Sequence, residues 1–502
     1  RVSGSAARRG TVGAATIADR SAMPLFVDLD GTLIRTDLLY ESFLDRLKHD
    51  WILPGRVLSW LTRGKAYMKA QLARGYRVPT ESLPYNEAVI DRVQAARKQG
   101  RRVYLATASH VSLAEAIGAH LGMFDGVIAS DQRINVSGSE KLERLREVTG
   151  SDRFEYMGNS GSDIPIWEAC AIADVVEPDR AARRWVADHA HKARVLAGTA
   201  NRAEAVGTGT GAPSAPRSTA RSTAWRDRLR ILRPHQWLKN LLLFVPLVTA
   251  HLALDPRSVL LTLMAFVAFS LCASAVYVIN DMLDLNADRV HPRKRHRPFA
   301  SGAVPLSFGF KAAPLLMLGA GLVAALVSPL FVGALGLYLV MTFAYSFSLK
   351  RKMAIDVLML AGLYTMRIIA GTAAIGVAPS NWLMGFSTFL FFGLALVKRS
   401  SELMVAADSG KSGASGRNYL VADLLMVNSM GIASSYLSVL VLALYINSAE
   451  VRTLYAHPYG LWLLCPLLLY WLTRLWLITQ RGGMHDDPVI YAARDRVSQL
   501  VA

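Results

Sequence analysis

The sequence predicts two domains of different class, an α/β domain with a mainly parallel sheet followed by an all-α bundle of transmembrane helices. Three observations predict this. Short apolar strands alternate with helical periodicity up to about residue 196, the pattern of a parallel sheet with helical crossovers. Long apolar blocks recur from about residue 240 to the end. Between them, residues 197–225 are dominated by Gly, Ser, Thr, Ala and Pro, the composition of a flexible linker.

Residues 1–23 are small and polar and are expected to form a disordered tail. Arg8, Arg9 and Arg20 are interleaved with Gly, Ala and Ser, and no apolar run follows them, so no signal-peptide pattern opens the chain. It begins with Arg1 rather than Met, which leaves a segment upstream open. The α/β domain is expected over 24–196. Its strands are Leu25-Phe26-Val27, Val103-Tyr104-Leu105-Ala106, Gly126-Val127-Ile128-Ala129, Phe154-Glu155-Tyr156-Met157 and Asp174-Val175-Val176. Leu38 to Arg77 reads as helix without a strand, a cap inserted after the first strand.

The membrane domain is expected over 226–502. Eight apolar blocks are expected as its helices: about 240–256, 258–280, 309–328, 329–348, 355–376, 382–397, 430–448 and 459–479. Several reach the roughly 20 residues that a bilayer helix needs. A ninth helix is expected only if the sequence continues beyond Ala502. The connections Arg226–Lys239, Arg289–Arg297, Lys350–Lys352, Lys398–Arg417 and Arg481–Arg496 are basic, whereas the intervening turns carry few Lys or Arg. By the positive-inside rule the basic loops, and with them the N-terminal domain, are cytoplasmic, and the protein is expected in an inner (plasma) membrane.

Composition narrows the partners. The net charge is +18, which suits nucleic acid, an anionic membrane or phosphorylated substrates. The basic residues stand in loops between apolar blocks, which favours membrane and phosphate over nucleic acid. Cys170, Cys272 and Cys465 are far apart, so neither a disulfide framework nor a zinc site is expected. Oligomeric state is not legible.

Two constellations carry chemistry. Asp28 and Asp30 lie two apart at the end of an apolar strand, on one face of it, where paired carboxylates can hold Mg²⁺ while one attacks phosphorus. Three elements follow in order: Thr107-Ala108-Ser109 after a strand, Lys141 after Gly138-Ser139-Glu140, and Gly158-Asn159-Ser160-Gly161-Ser162-Asp163 after another strand. A hydroxyl can meet a phosphate there, and a lysine can neutralise its developing charge. The second constellation is Asn280-Asp281-Met282-Leu283-Asp284-Leu285-Asn286-Ala287-Asp288. Its acids are spaced three and four apart, on one face of a helix, and three stacked like charges call for a cation among them. A basic run follows at once, His291-Pro292-Arg293-Lys294-Arg295-His296-Arg297-Pro298. Acid for Mg²⁺ beside base for phosphate is what a diphosphate requires.

The first set resembles the haloacid dehalogenase phosphatases over residues 24–196, a Rossmann-like fold with a cap. The resemblance implies Asp28 as nucleophile, Asp30 as general acid/base, Thr107 and Lys141 as phosphate ligands, and Asp163 as a Mg²⁺ ligand with the two aspartates. The last motif departs from the family's Gly-Asp start, with Asn159 after Gly158. One ligand charge fewer weakens a hard-cation site, and both an active phosphatase and a regulatory domain stay open.

The second set resembles the UbiA superfamily of membrane prenyltransferases over about 226–502. That resemblance implies a bundle around a central cavity, with Asn280, Asp281, Asp284 and Asp288 at the Mg²⁺ site and Lys294 and Arg297 on phosphate. Aromatic-acceptor members carry a second acidic loop, DxxxD. Here Lys398-Arg399-Ser400-Ser401-Glu402 stands in its place. With Leu232–Asn240 and Tyr345–Lys350, these stretches look like the branch that makes decaprenylphosphoryl-5-phosphoribose from phosphoribosyl diphosphate (PRPP) and a polyprenyl phosphate. In that reading Lys239, Lys350, Lys398 and Arg399 meet substrate phosphates. The rivals are a prenyltransferase with an aromatic acceptor and a non-catalytic lipid-phosphate transporter or scaffold.

Overall fold

The computed structural model of the protein describes residues 23–196, 219–413, 417–454, 457–484 and 487–501. Nearly all of the expected tail, and residues 197–218 of the expected linker, lie outside the described residues. The chain divides into two compact units: residues up to 227 together with 281–308, and residues 228–280 together with 309–502.

In the first unit, β1 (Leu25–Val27), β2 (Val103–His110), β3 (Gly126–Ser130), β4 (Glu155–Gly158), β5 (Ile172–Val176) and β6 (Ala193–Leu196) form a sheet in the order β3-β2-β1-β4-β5-β6. Every neighbouring pair is parallel. Parallel neighbours need a crossover rather than a tight turn. Between β1 and β2 the chain makes α1 (Leu38–Leu47), α2 (Leu53–Thr62) and α3 (Lys65–Ala73), the expected cap, and then α4 (Glu87–Lys98). The later crossovers are α5 (Val111–Leu121), α6 (Ser139–Thr149), α7 (Ile164–Ala169) and α8 (Arg180–Asp188). Side chains alternate across the sheet. Leu25 and Val27 enter one core with Leu105 and Val89, and Phe26 enters the other with Tyr156 and Trp167.

β1 pairs with β2 on one side and β4 on the other, Val27 facing Leu105 and Met157. The strand order therefore reverses at β1, and the crevice beyond its C-terminal end is where ligands bind in open α/β sheets. Asp28 is the next residue.

The end of the segment read as linker is helical, in α9 (Thr219–Arg230). Between Pro216 and Pro234 the chain holds neither Pro nor Gly, so nothing breaks a run that includes Ala220 and Ala224. The first expected apolar block also differs. Residues Pro234–Phe244 are 3₁₀ and are followed by the short α10 (Val245–Thr249). Pro246 lacks the N–H a longer α-helix would use, and His251 turns the backbone with φ +56°.

Next come α11 (Pro256–Leu283), α12 (Leu285–Val290), α13 (Leu306–Val327), α14 (Pro329–Phe347), α15 (Ile355–Ile375), α16 (Asn381–Asp408), α17 (Leu424–Ile446), α18 (Leu464–Gln480) and α19 (Pro488–Arg494). Among the described residues, seven helices are long and apolar enough to cross a membrane: α11 and α13 to α18, the last two with their preceding turns. They account for the other seven expected blocks. On α13, Leu315, Leu318, Leu322 and Leu326 form an exposed stripe while Ala313, Ala320 and Ala324 are buried. Small residues let helices approach closely, and the leucines suit hydrocarbon. At Gly393 on α16 a Cβ would lie 2.5 Å from Ser435 Oγ on α17, so the close packing of these helices requires glycine there.

Candidate functional site

Asp28 continues the parallel ladder beyond β1, its N–H donating to Met157 O at 2.8 Å. Gly31 then turns the chain at φ +77°, and a Cβ there would collide with the Asn159 amide. The Asn159 motif is thereby held against the Asp28-Leu29-Asp30 loop. Lys141, on α6, donates to Asp28 Oδ1 at 2.8 Å and to the Tyr156 hydroxyl oxygen at 2.9 Å, and lies 3.6 Å from Asp163 Oδ1. The Tyr156 hydroxyl donates to Asp163 Oδ1 at 2.9 Å. Asp163 Oδ2 accepts from the N–H groups of Asn159 and Ser160 at 3.2 and 3.1 Å.

Asp30 points the other way. Its Oδ2 accepts from Ser109 Oγ at 2.6 Å and Thr107 Oγ1 at 3.4 Å, and its Oδ1 from the Leu38 N–H at the start of α1. Burial lifts Asp28 to about 7, against the pull of Lys141, and lifts Asp30 to about 6. Burial works against the Lys141 charge, but Asp28 and Asp163 outweigh it and raise its pKa. Asp28, Asp30, Thr107, Lys141 and Asp163 are thus brought to one end of the sheet. Three neighbours escaped the sequence reading. Tyr156 and Ser109 were seen only as strand or motif residues. Lys69 of α3 donates to Ala108 O and Asn135 Oδ1 at 2.6 and 2.7 Å, a cationic contribution from the cap that no motif announces.

The acidic segment lies in the same unit. α11 stops at Leu283, and Asp284 stands at its junction with α12. Asp281 and Asp288, buried and two helical turns apart, converge on one nitrogen: Arg297 Nη1 donates to them at 3.1 and 2.5 Å. Among the described residues no three His, Cys, Asp or Glu side chains gather closely enough to hold a metal by themselves. The three-acid face expected from the spacing is therefore interrupted, because the helix breaks at Asp284 and a guanidinium separates its neighbours. Asn280 is half-buried, and Lys294 is exposed in a 3₁₀ turn. Arg289 was not anticipated. Its guanidinium donates to both oxygens of Glu41 on α1, at 3.1 and 2.6 Å, and Glu41 also accepts from Thr36 and Tyr76 hydroxyls.

In the second unit Lys239 and Lys398 share one carboxylate. Lys239 Nζ donates to Asp487 Oδ2 at 2.7 Å and Lys398 Nζ at 3.4 Å. The Tyr364 hydroxyl reaches Asp487 Oδ1 at 2.8 Å. Arg367 lies behind, over the Tyr364 ring, and donates to Asn240 Oδ1 at 3.0 Å. Burial pushes Lys239 down to about 8, opposed by Asp487. Burial favours a neutral Asp487, but Lys398 and Lys239 outweigh it and hold the carboxyl below the usual range. Arg399 has other surroundings. It is fully buried and pairs with Asp356 at 2.6 Å and with Glu402. Arg417 and Tyr419 also bond Asp356. The Arg399 charge is met within the chain rather than offered to a ligand. Lys350 lies in the turn after α14, half-buried and apart from the Asp487 contacts.

Residues 241–491 match the UbiA prenyltransferase family, and residues 25–168 match the haloacid dehalogenase-like hydrolases. The chain is 37% identical over 485 residues to the uncharacterized protein y4nM of Sinorhizobium fredii, covering 95% of this chain and 89% of that protein. It is 33% identical over 263 residues to the nodulation protein NoeC of Azorhizobium caulinodans, covering 52% of this chain and 85% of that one. It is 32% identical over 280 residues to the decaprenyl-phosphate phosphoribosyltransferase of Mycobacterium tuberculosis, covering 55% and 90%. With seven apolar helices among the described residues, the chain is an integral membrane protein that belongs to the UbiA prenyltransferase family and carries a haloacid dehalogenase-like domain at its N-terminal end.

Proposed function

We propose that the membrane domain transfers 5-phosphoribose from PRPP to a polyprenyl phosphate, and that the N-terminal domain then removes the 5-phosphate from the lipid product. The observation that carries this reading is the pair Lys239 and Lys398 around a single carboxylate. An excess of positive charge around one carboxylate suits an anionic group such as a lipid phosphate. The relatives named decaprenyl-phosphate phosphoribosyltransferase support the same choice.

The acidic segment fits Mg²⁺: two carboxylate oxygens already converge on one cationic nitrogen, and all-oxygen donors are what this hard cation takes. Asp281 and Asp288, with Asp284 and Asn280 beside them, would hold it, and once bound it neutralises the diphosphate leaving group. Arg297 and Lys294 add hydrogen-bond donors for the same group. The bond from ribose C1 to diphosphate breaks with positive charge developing on the ribose, and a lipid phosphate oxygen forms the new C1–O bond. Lys239 and Lys398 hold and orient that phosphate; the protein's contribution is position and charge. In the other domain Asp28 attacks the 5-phosphate, Asp30 protonates the leaving ribose oxygen, and Lys141 with Thr107 steadies the phosphoryl oxygens. Water then releases phosphate from Asp28. Basic connecting segments support a cytoplasmic face for both reactions.

The test is transfer itself. Purified protein with Mg²⁺, polyprenyl phosphate and radiolabelled PRPP should move label into the lipid phase, and Asp284→Ala should not. Absence of label from PRPP, with transfer of a labelled prenyl diphosphate to an aromatic acceptor, would assign the rival branch.

A further inference from the structure

Asp487 is the feature of the second unit that the proposed transfer leaves unexplained. Its carboxylate sits only 9% exposed, immediately before α19. Its two oxygens accept from Lys239 Nζ, Lys398 Nζ, the Tyr364 hydroxyl and the Val489 N–H. These are the donors a phosphate headgroup would use. Two cations meet this one acid, and Arg367 lies behind Tyr364, bonded to Asn240. The charge is therefore left positive with the carboxylate in place.

Next to this cluster lies an apolar cavity of about 300 Å³ whose lining includes Leu242, Leu394, Phe391, Trp471 and Val489. Leu242 follows Lys239 by three residues in a 3₁₀ stretch, where positions i and i+3 eclipse. Leu394 precedes Lys398 by four residues in α16, which puts both on one helix face. Val489 is two residues beyond Asp487. Three elements thus present a charged group and, one step along, a cavity-lining side chain. An amphiphile with an anionic head and a long apolar chain matches that sequence of surfaces.

We propose that Asp487 is a specificity-determining residue of this site: its carboxylate occupies the place of a ligand phosphate, and a dianionic phosphate monoester on an apolar chain displaces it whereas a monoanionic phosphodiester lipid does not. The inference rests on the reading of Lys239 and Lys398 as the lipid-phosphate site. The physical ground is charge. A phosphate monoester carries about −1.5 to −2 at neutral pH, so putting it in place of the carboxylate adds negative charge beside the two lysines. A phosphodiester carries the same single charge as the carboxylate and gains nothing by the exchange, while it must desolvate a bulkier head. Bilayer phospholipids are mostly diesters, so a bare pair of lysines would fill with them. An internal carboxylate of matched charge keeps them out, a selection by competition rather than by added attraction.

Binding to the full chain in detergent tests this without requiring turnover. Farnesyl phosphate serves as the monoester and phosphatidylglycerol as the diester, each competing with radiolabelled farnesyl phosphate. At pH 7 the wild-type chain should prefer the monoester by about tenfold or more. Asp487→Asn should bind both more tightly and the diester disproportionately, cutting the preference to about threefold or less, while Asp487→Glu keeps it. Lys239→Gln should weaken the monoester in either background. The wild type gives a second readout that needs no variant. Below pH ~6 the monoester becomes a monoanion, and its preference over the diester should vanish. A preference unchanged in Asp487→Asn, or persisting at pH 5 in the wild type, overturns the role of Asp487. No monoester binding to the wild type at all would instead overturn the lipid-phosphate site on which it rests.

Discussion

The acidic segment and the lysine pair balance their charges in opposite ways. At Arg297 two carboxylates share one cation; at Asp487 two lysines share one carboxylate. The N-terminal site follows the first pattern, with Asp28 and Asp163 both facing Lys141. Buried charges are tolerated when paired, and a surplus of one sign is costly unless something completes it. A cation suits a site where acids outnumber bases, and an anion one where bases outnumber acids.

The largest expected effect separates the two domains. Asp28→Asn should abolish phosphate release from the phosphorylated lipid, by about 10³-fold or more, because it removes the attacking atom. Transfer from PRPP should be unchanged in the same protein. Loss of both activities together would break the assignment of one reaction to each carboxylate set. Next, Asp281→Asn or Asp288→Asn should lower transfer by about 10²-fold, with partial recovery at high Mg²⁺, since each removes one ligand charge. A loss that extra Mg²⁺ does not touch would mean that Arg297, not a metal, is the partner that matters.

The pH dependence is a smaller and more specific signature. Asp28 must be ionised to attack, and burial holds it up to about 7. At low Mg²⁺, kcat/KM for phosphate release should therefore fall about tenfold per pH unit below that point. A cation beside Asp28 favours its charged form, so raising Mg²⁺ should move this limb to lower pH. A limb already near pH 4 without Mg²⁺ would contradict the buried environment described for Asp28. The smallest effect is expected of Asn159→Asp. It restores an acid beside the Gly31 turn, and half-saturation by Mg²⁺ should drop by a few-fold, roughly in line with one more ligand charge. A rise would show that Asn159 serves through its amide.

The sequence carried those parts of the fold whose signal is local. Strands β1 to β5 announced themselves by apolar runs beside turn motifs. β6 did not, since Ala193-Arg194-Val195-Leu196 is a short edge strand with a charged residue inside it. The first apolar block was apolar enough for a span, but Pro246 and the turn at His251 made it a 3₁₀ stretch and one short helix. The same division holds for the site residues. Asp28 and Asp30 follow β1, Thr107 stands late in β2, Lys141 stands in the first turn of α6 and Asp163 follows β4, and the parallel sheet brings these positions to one end. Asp487 has no motif and meets Lys239 across 248 residues. Glu41 and Arg289 are likewise separated by 248. Only the folded chain makes these pairs visible. Arg399 shows the converse: its place beside Lys398 suggested phosphate, yet its side chain points into carboxylates of its own bundle.

The most direct test of the account is the mass of the lipid product formed from PRPP and polyprenyl phosphate, compared between the wild type and Asp28→Asn. The variant should yield a 5-phosphoribosyl lipid and the wild type the ribosyl lipid, one phosphate lighter. A prenylated aromatic made from a prenyl diphosphate, with no lipid product from PRPP in either protein, would contradict it.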